Sequence, residues 1–175
     1  DITIFTINQQ SGNSSTAAIN DVSDIAAKCG PSVVEITTQG VASSGGLLQQ
    51  QYITQGAGSG VIMSEDGYII TNHHVIENAT AIAVRTTDGQ EYSAEIIGSD
   101  SQTDLAVLKI NATGLSPATF GDSDSLEVGD AAIAIGNPLG ELGGTVTTGI
   151  ISALDRQITI DDTTMTLLQT DAAIN

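Results

Sequence analysis

The sequence predicts an all-β fold of the sandwich or barrel kind, with one short helix near the N-terminus. Three features point that way. Short runs rich in Ile, Val and Thr recur along the chain, separated by turns that contain glycine. Many of the 19 glycines in the 175 residues sit between those runs. Hydrophobic residues make up 40% but aromatics only 3%, with no Trp, so a core must be built from Ile, Val, Leu and Ala. A chain of this length buries roughly two-thirds of its extended surface on folding, enough for a real core.

The elements follow in order. Residues 1–19 are polar and read as an arm or linker, in which ITIFTI can add to a sheet as an edge strand. DVSDIAAKC (21–29) has a helical pattern, with Asn20 or Asp21 as N-cap and Gly30-Pro31 as the stop. SVVEITT (32–38) is a strand. Residues 39–57, QGVASSGGLLQQQYITQGA, are aperiodic and read as a long loop. Strands 59–63 and 68–71 flank the turn Glu65-Asp66-Gly67, and strands 81–87 and 91–97 flank Asp88-Gly89. Asp104 opens another strand, DLAVLKI, and 111–130 is a crossing segment. Strands 131–135, 145–154 and 163–170 form a second β region, with a turn at 136–140. This divides the chain into an arm (1–19), a helix with a first β unit (20–115), and a connecting segment with part of a second unit (116–175). Apolar edges in that second unit would be open to strand exchange with another copy.

Charge excludes some functions. Lys28, Arg85, Lys109 and Arg156 face 21 carboxylates, a formal net charge of −17. Nucleic acid and anionic membrane surfaces both require a basic patch, so neither is an expected partner. Cys29 is the single cysteine, which rules out an intrachain disulfide and a Cys/His zinc site, and reads as a small apolar residue of the helix. No apolar run approaches a membrane span of about 18 residues. The opening DITIFTI lacks the basic start of a signal peptide, so any targeting or membrane-contacting segment is expected outside these residues. The acidic cluster Asp122, Asp124, Glu127 and Asp130 has Glu127 where a calcium loop needs glycine, and reads as a solvated connection. Asn13, Asn78 and Asn111 begin glycosylation triplets that arise readily by chance.

The residues able to do chemistry are few. The only histidines, His73 and His74, are adjacent in TNHHVI. On a strand they would point to opposite faces, which suits chelation poorly. They are either polar residues bonded locally at a strand end, or they include a general base. Asp104 follows His74 by 30 residues and stands at the mouth of an apolar strand. It is either a strand-end cap or the partner of a histidine, since a buried carboxylate is costly unless paired.

Five stretches then resemble one family in order and spacing: GSGVIMSEDGYIITNHHVIENA (58–79), SDSQTDLAVLKI (99–110), FGDSDSLEVGDAAIAIGNPLG (120–140), TVTTGIISALDR (145–156) and LLQTDAAIN (167–175). They resemble the protease domain of the HtrA/Do serine endopeptidases. The resemblance covers roughly residues 31–175 and implies a chymotrypsin/trypsin-like double β-barrel, with the first barrel complete and the second partial. It places the general base on His74, followed by Val-Ile, with His73 as a neighbour, and the orienting carboxylate on Asp104. It matches 39–57 to a loop involved in regulation and assembly. It implies degradation of unfolded or misfolded polypeptides outside the cytoplasm, trimer-based homo-oligomers, and triad chemistry with no cofactor or metal. The family's nucleophile stands in a GNSGG-like motif, which is expected after Asn175. Gly58-Ser59-Gly60 only looks like it and lies in a first-barrel strand. Without that serine the 175 residues are expected to be inactive by themselves. The rival expectation is a non-catalytic pseudo-protease or binding scaffold, which would have no need of His74 and Asp104 together.

Overall fold

The computed structural model describes residues 3–6, 22–43, 51–136, 144–160 and 163–174. The N-cap expected at Asn20 or Asp21 and most of the turn expected at 136–140 lie outside them.

Helix α1 (Val22–Cys29) stops at Gly30-Pro31, where the chain tightens into a single 3-10 turn. Proline supplies no N–H and fixes φ, so the α-helix cannot run on through it. Six strands follow: β2 (Val33–Ser43), β3 (Gln51–Ile62), β4 (Tyr68–Asn72), β5 (Ala79–Arg85), β6 (Glu91–Asp100) and β7 (Leu105–Ile110). They close into an antiparallel barrel in the order β2-β3-β4-β7-β6-β5. Closure pairs each of these strands on both sides along part of its length. A second, four-stranded sheet has the order β1-β8-β9-β10, built from β1 (Thr3–Thr6), β8 (Ala131–Gly136), β9 (Thr145–Ile160) and β10 (Thr163–Thr170). The edge strand expected from ITIFTI is β1, which pairs antiparallel with β8 from Thr3 opposite Ile135 to Thr6 opposite Ala132.

Period-two patterning fills the barrel. On β7 the inward residues Ala106, Leu108 and Ile110 are buried and alternate with more exposed neighbours. They meet Val34, Ile36, Ile62, Ile69 and Val84 in one apolar cluster. Strand β2 is buried on both faces near its start, where Val33, Val34, Glu35 and Ile36 are all buried. Val34 and Ile36 face the barrel, while Val33 packs with Ile25 of α1 and Ile133 and Ile135 of β8. The helix therefore rests on the second sheet as well as on the start of the barrel, and Cys29 is a partly buried member of that contact.

The turn at Glu65-Asp66-Gly67 forms as expected. Met63 N donates to Tyr68 O at 2.8 Å, and Gly67 adopts φ 104° with the Ile110 carbonyl packed where a Cβ would project. A side chain there would meet both a left-handed backbone and a clash.

Four expectations are corrected. Residues 39–57 are not a loop throughout: β2 and β3 extend as a paired arm from Gln39 opposite Gln55 to Ser43 opposite Gln51, leaving 44–50 outside the described residues. Main-chain pairing sustains that arm although its side chains show no alternation, with Val41 and Ile53 exposed. His73 and His74 do not lie on a strand but in α2 (His73–Ile76), a single helical turn. Asp104 lies in the turn before β7, with φ 54°, and not on the strand. The second-region strand expected to end at 154 continues to Ile160.

Candidate active site

The site is assembled where β4 ends and the β6–β7 turn returns beside it. Strand β4 runs antiparallel to β7, with Asn72 opposite Leu105, so the residue before Leu105 stands against the start of α2. Val75 and Ile76 are buried in the barrel cluster and anchor α2 from below. Gly58 on β3 permits this: a Cβ there would stand 2.8 Å from both methyl carbons of Val75. The buried hydroxyl of Thr71, the residue before Asn72, donates to the Ser59 carbonyl at 2.8 Å, tying the end of β4 to β3.

Asp104 is held by four donors on three consecutive residues. His74 N donates to Oδ1 at 2.9 Å, and the His74 ring meets Oδ2 through Nδ1 at 2.7 Å. Asn72 Nδ2 donates to Oδ2 at 3.1 Å and to the Asp104 carbonyl at 3.2 Å. His73 N donates to the same carbonyl at 3.0 Å. Left-handed backbone is tolerated by aspartate better than by most residues, and these bonds hold it there.

Burial pushes the Asp104 carboxyl up, but the His74 amide, the His74 ring and its charge, and the Asn72 amide outweigh it, and the carboxyl lies below its ordinary value. The side chain is 24% exposed and the imidazole 53%. An ionised carboxylate can only accept, so Nδ1 of His74 carries its proton toward Asp104. In the neutral ring the lone pair then resides on Nε2. An imidazole of this tautomer, backed by a carboxylate, is equipped to take a proton from a hydroxyl and to return it to a leaving group.

Both sequence candidates, His74 and Asp104, are thus brought together. His73 is not part of the pair. Among the described residues its Nδ1 is buried without a hydrogen-bond partner, and its charge helps lower the Asp100 carboxyl behind the stronger effects of the Gln102 amide and the Thr103 hydroxyl. The residue missed from sequence is Asn72. In the sequence it is only a residue type suited to an N-cap, which says nothing about Asp104.

The remaining candidates do other things. Ser59 of the Gly58-Ser59-Gly60 lookalike is a buried residue of β3. In the acidic cluster, Asp122 accepts from Asp124 N and Asp130 from Glu127 N, so these carboxylates cap their own backbone. Among the described residues no group of three or more His, Cys, Asp or Glu is placed to hold a metal ion, and no helix is long and apolar enough to cross a membrane.

Comparison with known proteins gives this geometry a context. The trypsin-like peptidase domain family matches residues 58–175. The chain is 58% identical over 119 residues to a probable periplasmic serine endoprotease, DegP-like, of Chlamydia trachomatis, covering 67% of this chain and 24% of that protein. It is 46% identical over 138 residues to the periplasmic serine endoprotease DegP of Escherichia coli K12, covering 78% and 28%. It is 41% identical over 169 residues to the serine protease Do-like HtrA of Bacillus subtilis, covering 88% and 38%. The chain therefore spans between about a quarter and two-fifths of the length of these relatives. Among solved structures it resembles the HtrA-type protease AlgW with tripeptide, at TM-score 0.76 and 42% identity over 87% of this chain and 46% of that one. The same protease with decapeptide gives TM-score 0.74 and 40% identity over 87% and 52%. A closed barrel beside a second sheet, and a family match that spans both, agree: the chain belongs to the trypsin-like peptidase domain family and is a homologue of the DegP/HtrA serine endoproteases.

Proposed function

We propose that these residues supply the general base, His74, and its orienting carboxylate, Asp104, to a serine endopeptidase that degrades unfolded or misfolded polypeptides. The observation that carries this is the two-point hold of Asp104 on His74, one carboxylate oxygen on the amide and the other on the ring. That hold fixes both the ring's position and its tautomer. As a serine hydroxyl attacks the peptide carbonyl, its proton passes to Nε2 of His74. The imidazolium is stabilised by Asp104, which stays ionised. Collapse of the tetrahedral intermediate breaks the C–N bond, and His74 gives the proton to the departing amine. Water then enters by the same route in reverse and frees the serine. No metal or cofactor takes part in this sequence.

The nucleophile belongs, by the family's motif, to a GNSGG-like stretch that none of the 175 residues matches. A polypeptide of residues 1–175 alone is accordingly expected to leave casein intact. The naming of relatives as periplasmic supports an extracytoplasmic location, and the peptides named with the AlgW structures support polypeptide substrates. Trimer-based assembly is proposed from the family alone. The net charge of −17 argues against nucleic acid.

The test is casein hydrolysis by the full-length protein and its His74→Ala and Asp104→Asn variants. Asp104→Asn is expected to lower kcat by about 10⁴-fold, because the amide favours the wrong tautomer. A variant that keeps a tenth or more of wild-type turnover, about 10⁻¹ against 10⁻⁴, would sink the assignment. A wild-type protein that binds casein without cleaving it would favour the scaffold reading.

A further inference from the structure

Asn72 occupies the N-cap position of α2, with the extended φ −82° and ψ 146° usual for such a residue. Asparagine is a preferred N-cap because its side-chain oxygen can accept from the first free amides of the helix. Here the side chain makes no cap hydrogen bond. Its Nδ2 is turned instead toward Asp104, across 32 residues of sequence, and meets both the carbonyl and Oδ2. Oδ2 is the oxygen that also receives His74 Nδ1. The ordinary reason for an asparagine at this place is therefore absent, and its donor capacity is spent on the carboxylate behind the base.

We propose that Asn72 is a positioning residue for the reaction: it clamps Asp104 between backbone and carboxylate, so that Oδ2 is presented to His74 Nδ1. The proposal rests on the assignment of His74 and Asp104 above. It follows from geometry. Asp104 lies in a turn with left-handed backbone, and the two His74 contacts tie its carboxylate to His74 but not to its own main chain. Asn72 contacts the carbonyl and Oδ2 at once, which fixes the side chain relative to its own main chain. Its amide also satisfies a lone pair of Oδ2 that the His74 ring leaves over. Loss of the clamp leaves the substrate-facing surface intact but lets the imidazole swing, so the cost should fall on the chemical step and not on binding.

The experiment is a double-mutant cycle in the full-length protein, reading kcat and KM on a peptide substrate. Asn72→Leu removes both N–H donors while keeping the branch at Cγ. It is expected to lower kcat by about 10–100-fold, the usual cost of removing a partner that orients a functional ligand, with KM changed less than about twofold. In an Asp104→Ala background the same substitution is expected to change kcat by less than about twofold, because there is nothing left to orient. Additive losses in the two backgrounds would show a merely structural role and overturn the proposal. So would an unchanged kcat in Asn72→Leu, or a loss expressed in KM alone. If Asn72→Leu does not fold, Asn72→Asp carries the test. It keeps the side chain's outline but sets an acceptor against Oδ2, and its expected loss in kcat is at least as large. His74→Ala separates the two levels. If that variant is inactive while Asn72→Leu is normal, only the role of Asn72 fails. If His74→Ala remains active, the underlying assignment fails and the proposal with it.

Discussion

Replacing Gly58 by alanine tests how the packing beneath α2 positions His74 above it. The added Cβ would stand 2.8 Å from both Cγ1 and Cγ2 of Val75. That is short of an ordinary carbon–carbon contact by about 0.8 Å. Val75 is buried and β-branched, with one strongly preferred rotamer in a helix, so it cannot swing aside cheaply. The clash must be relieved by lifting α2, which is only one turn long and contains His74 next to Val75. The His74 ring meets Asp104 at 2.7 Å. A shift of about 0.8 Å along that line would carry it past the outer limit of roughly 3.2 Å for such a bond. Overpacking of this kind costs about 1–3 kcal/mol. For a domain of about 150–250 residues, that lowers Tm by roughly 2–12 °C. Misplacing a catalytic group by about 1 Å costs on the order of 10²-fold in rate. Calorimetry and casein turnover of Gly58→Ala in the full-length protein would measure both. A variant with Tm within about 1 °C of wild type and full activity would refute the claim that this contact sets the height of α2.

Acid should weaken the fold in a defined window. The Asp104, Asp100 and Asp88 carboxyls all lie below their ordinary value in the folded chain, Asp88 chiefly through the Thr86 hydroxyl and the Gln90 amide. A carboxyl lowered by folding stabilises the fold above its unfolded pKa. That contribution is lost as pH falls through the folded value. Denaturant stability should therefore decline below about pH 4, and Asp100→Asn should decline less steeply than wild type. Equal slopes in the two proteins would remove Asp100 from this account. The activity losses expected for Asp104→Asn and for Asn72→Leu, given above, differ by about two orders of magnitude or more, and a similar cost for both would contradict the hierarchy in which one residue orients the base and the other orients the carboxylate.

The strands were legible where one face is buried and a turn marks the end. Glu65-Asp66-Gly67 and Asp88-Gly89 announced their hairpins because glycine supplies the positive φ each turn uses, 104° at Gly67 and 83° at Gly89. Strand β7 announced itself by alternation, since Ala106, Leu108 and Ile110 face the barrel and Val107 and Lys109 do not. The arm of β2 and β3 was illegible for the same reason in reverse. Residues Val41 and Ile53 are exposed on a two-stranded arm, so no burial pattern selects one face, and only main-chain pairing reveals it. Helix α2 is one turn long, too short for any period to show, and its histidines looked like a strand end.

The candidate site divides in the same way. His74 and Asp104 could be named from sequence because residue type and colinear motifs singled them out. The residues alone left them open as local caps. Asn72 could not be named, since its role depends on where the chain returns 32 residues later, and a residue type suited to an N-cap concealed it. The burial of Val33 beside Val34 was likewise unreadable in detail, because it depends on α1 and β8 covering the outer face of β2.

The most direct measurement of the central claim is covalent labelling of the full-length protein by a serine-reactive fluorophosphonate, comparing wild type with His74→Ala. The probe reports activation of a serine hydroxyl without requiring turnover of a peptide. Rapid, stoichiometric labelling that falls by orders of magnitude in His74→Ala, with the fold retained, is the expected result. Labelling that proceeds at the wild-type rate without His74 would show that some other group activates the serine, and would contradict the assignment of the His74–Asp104 pair.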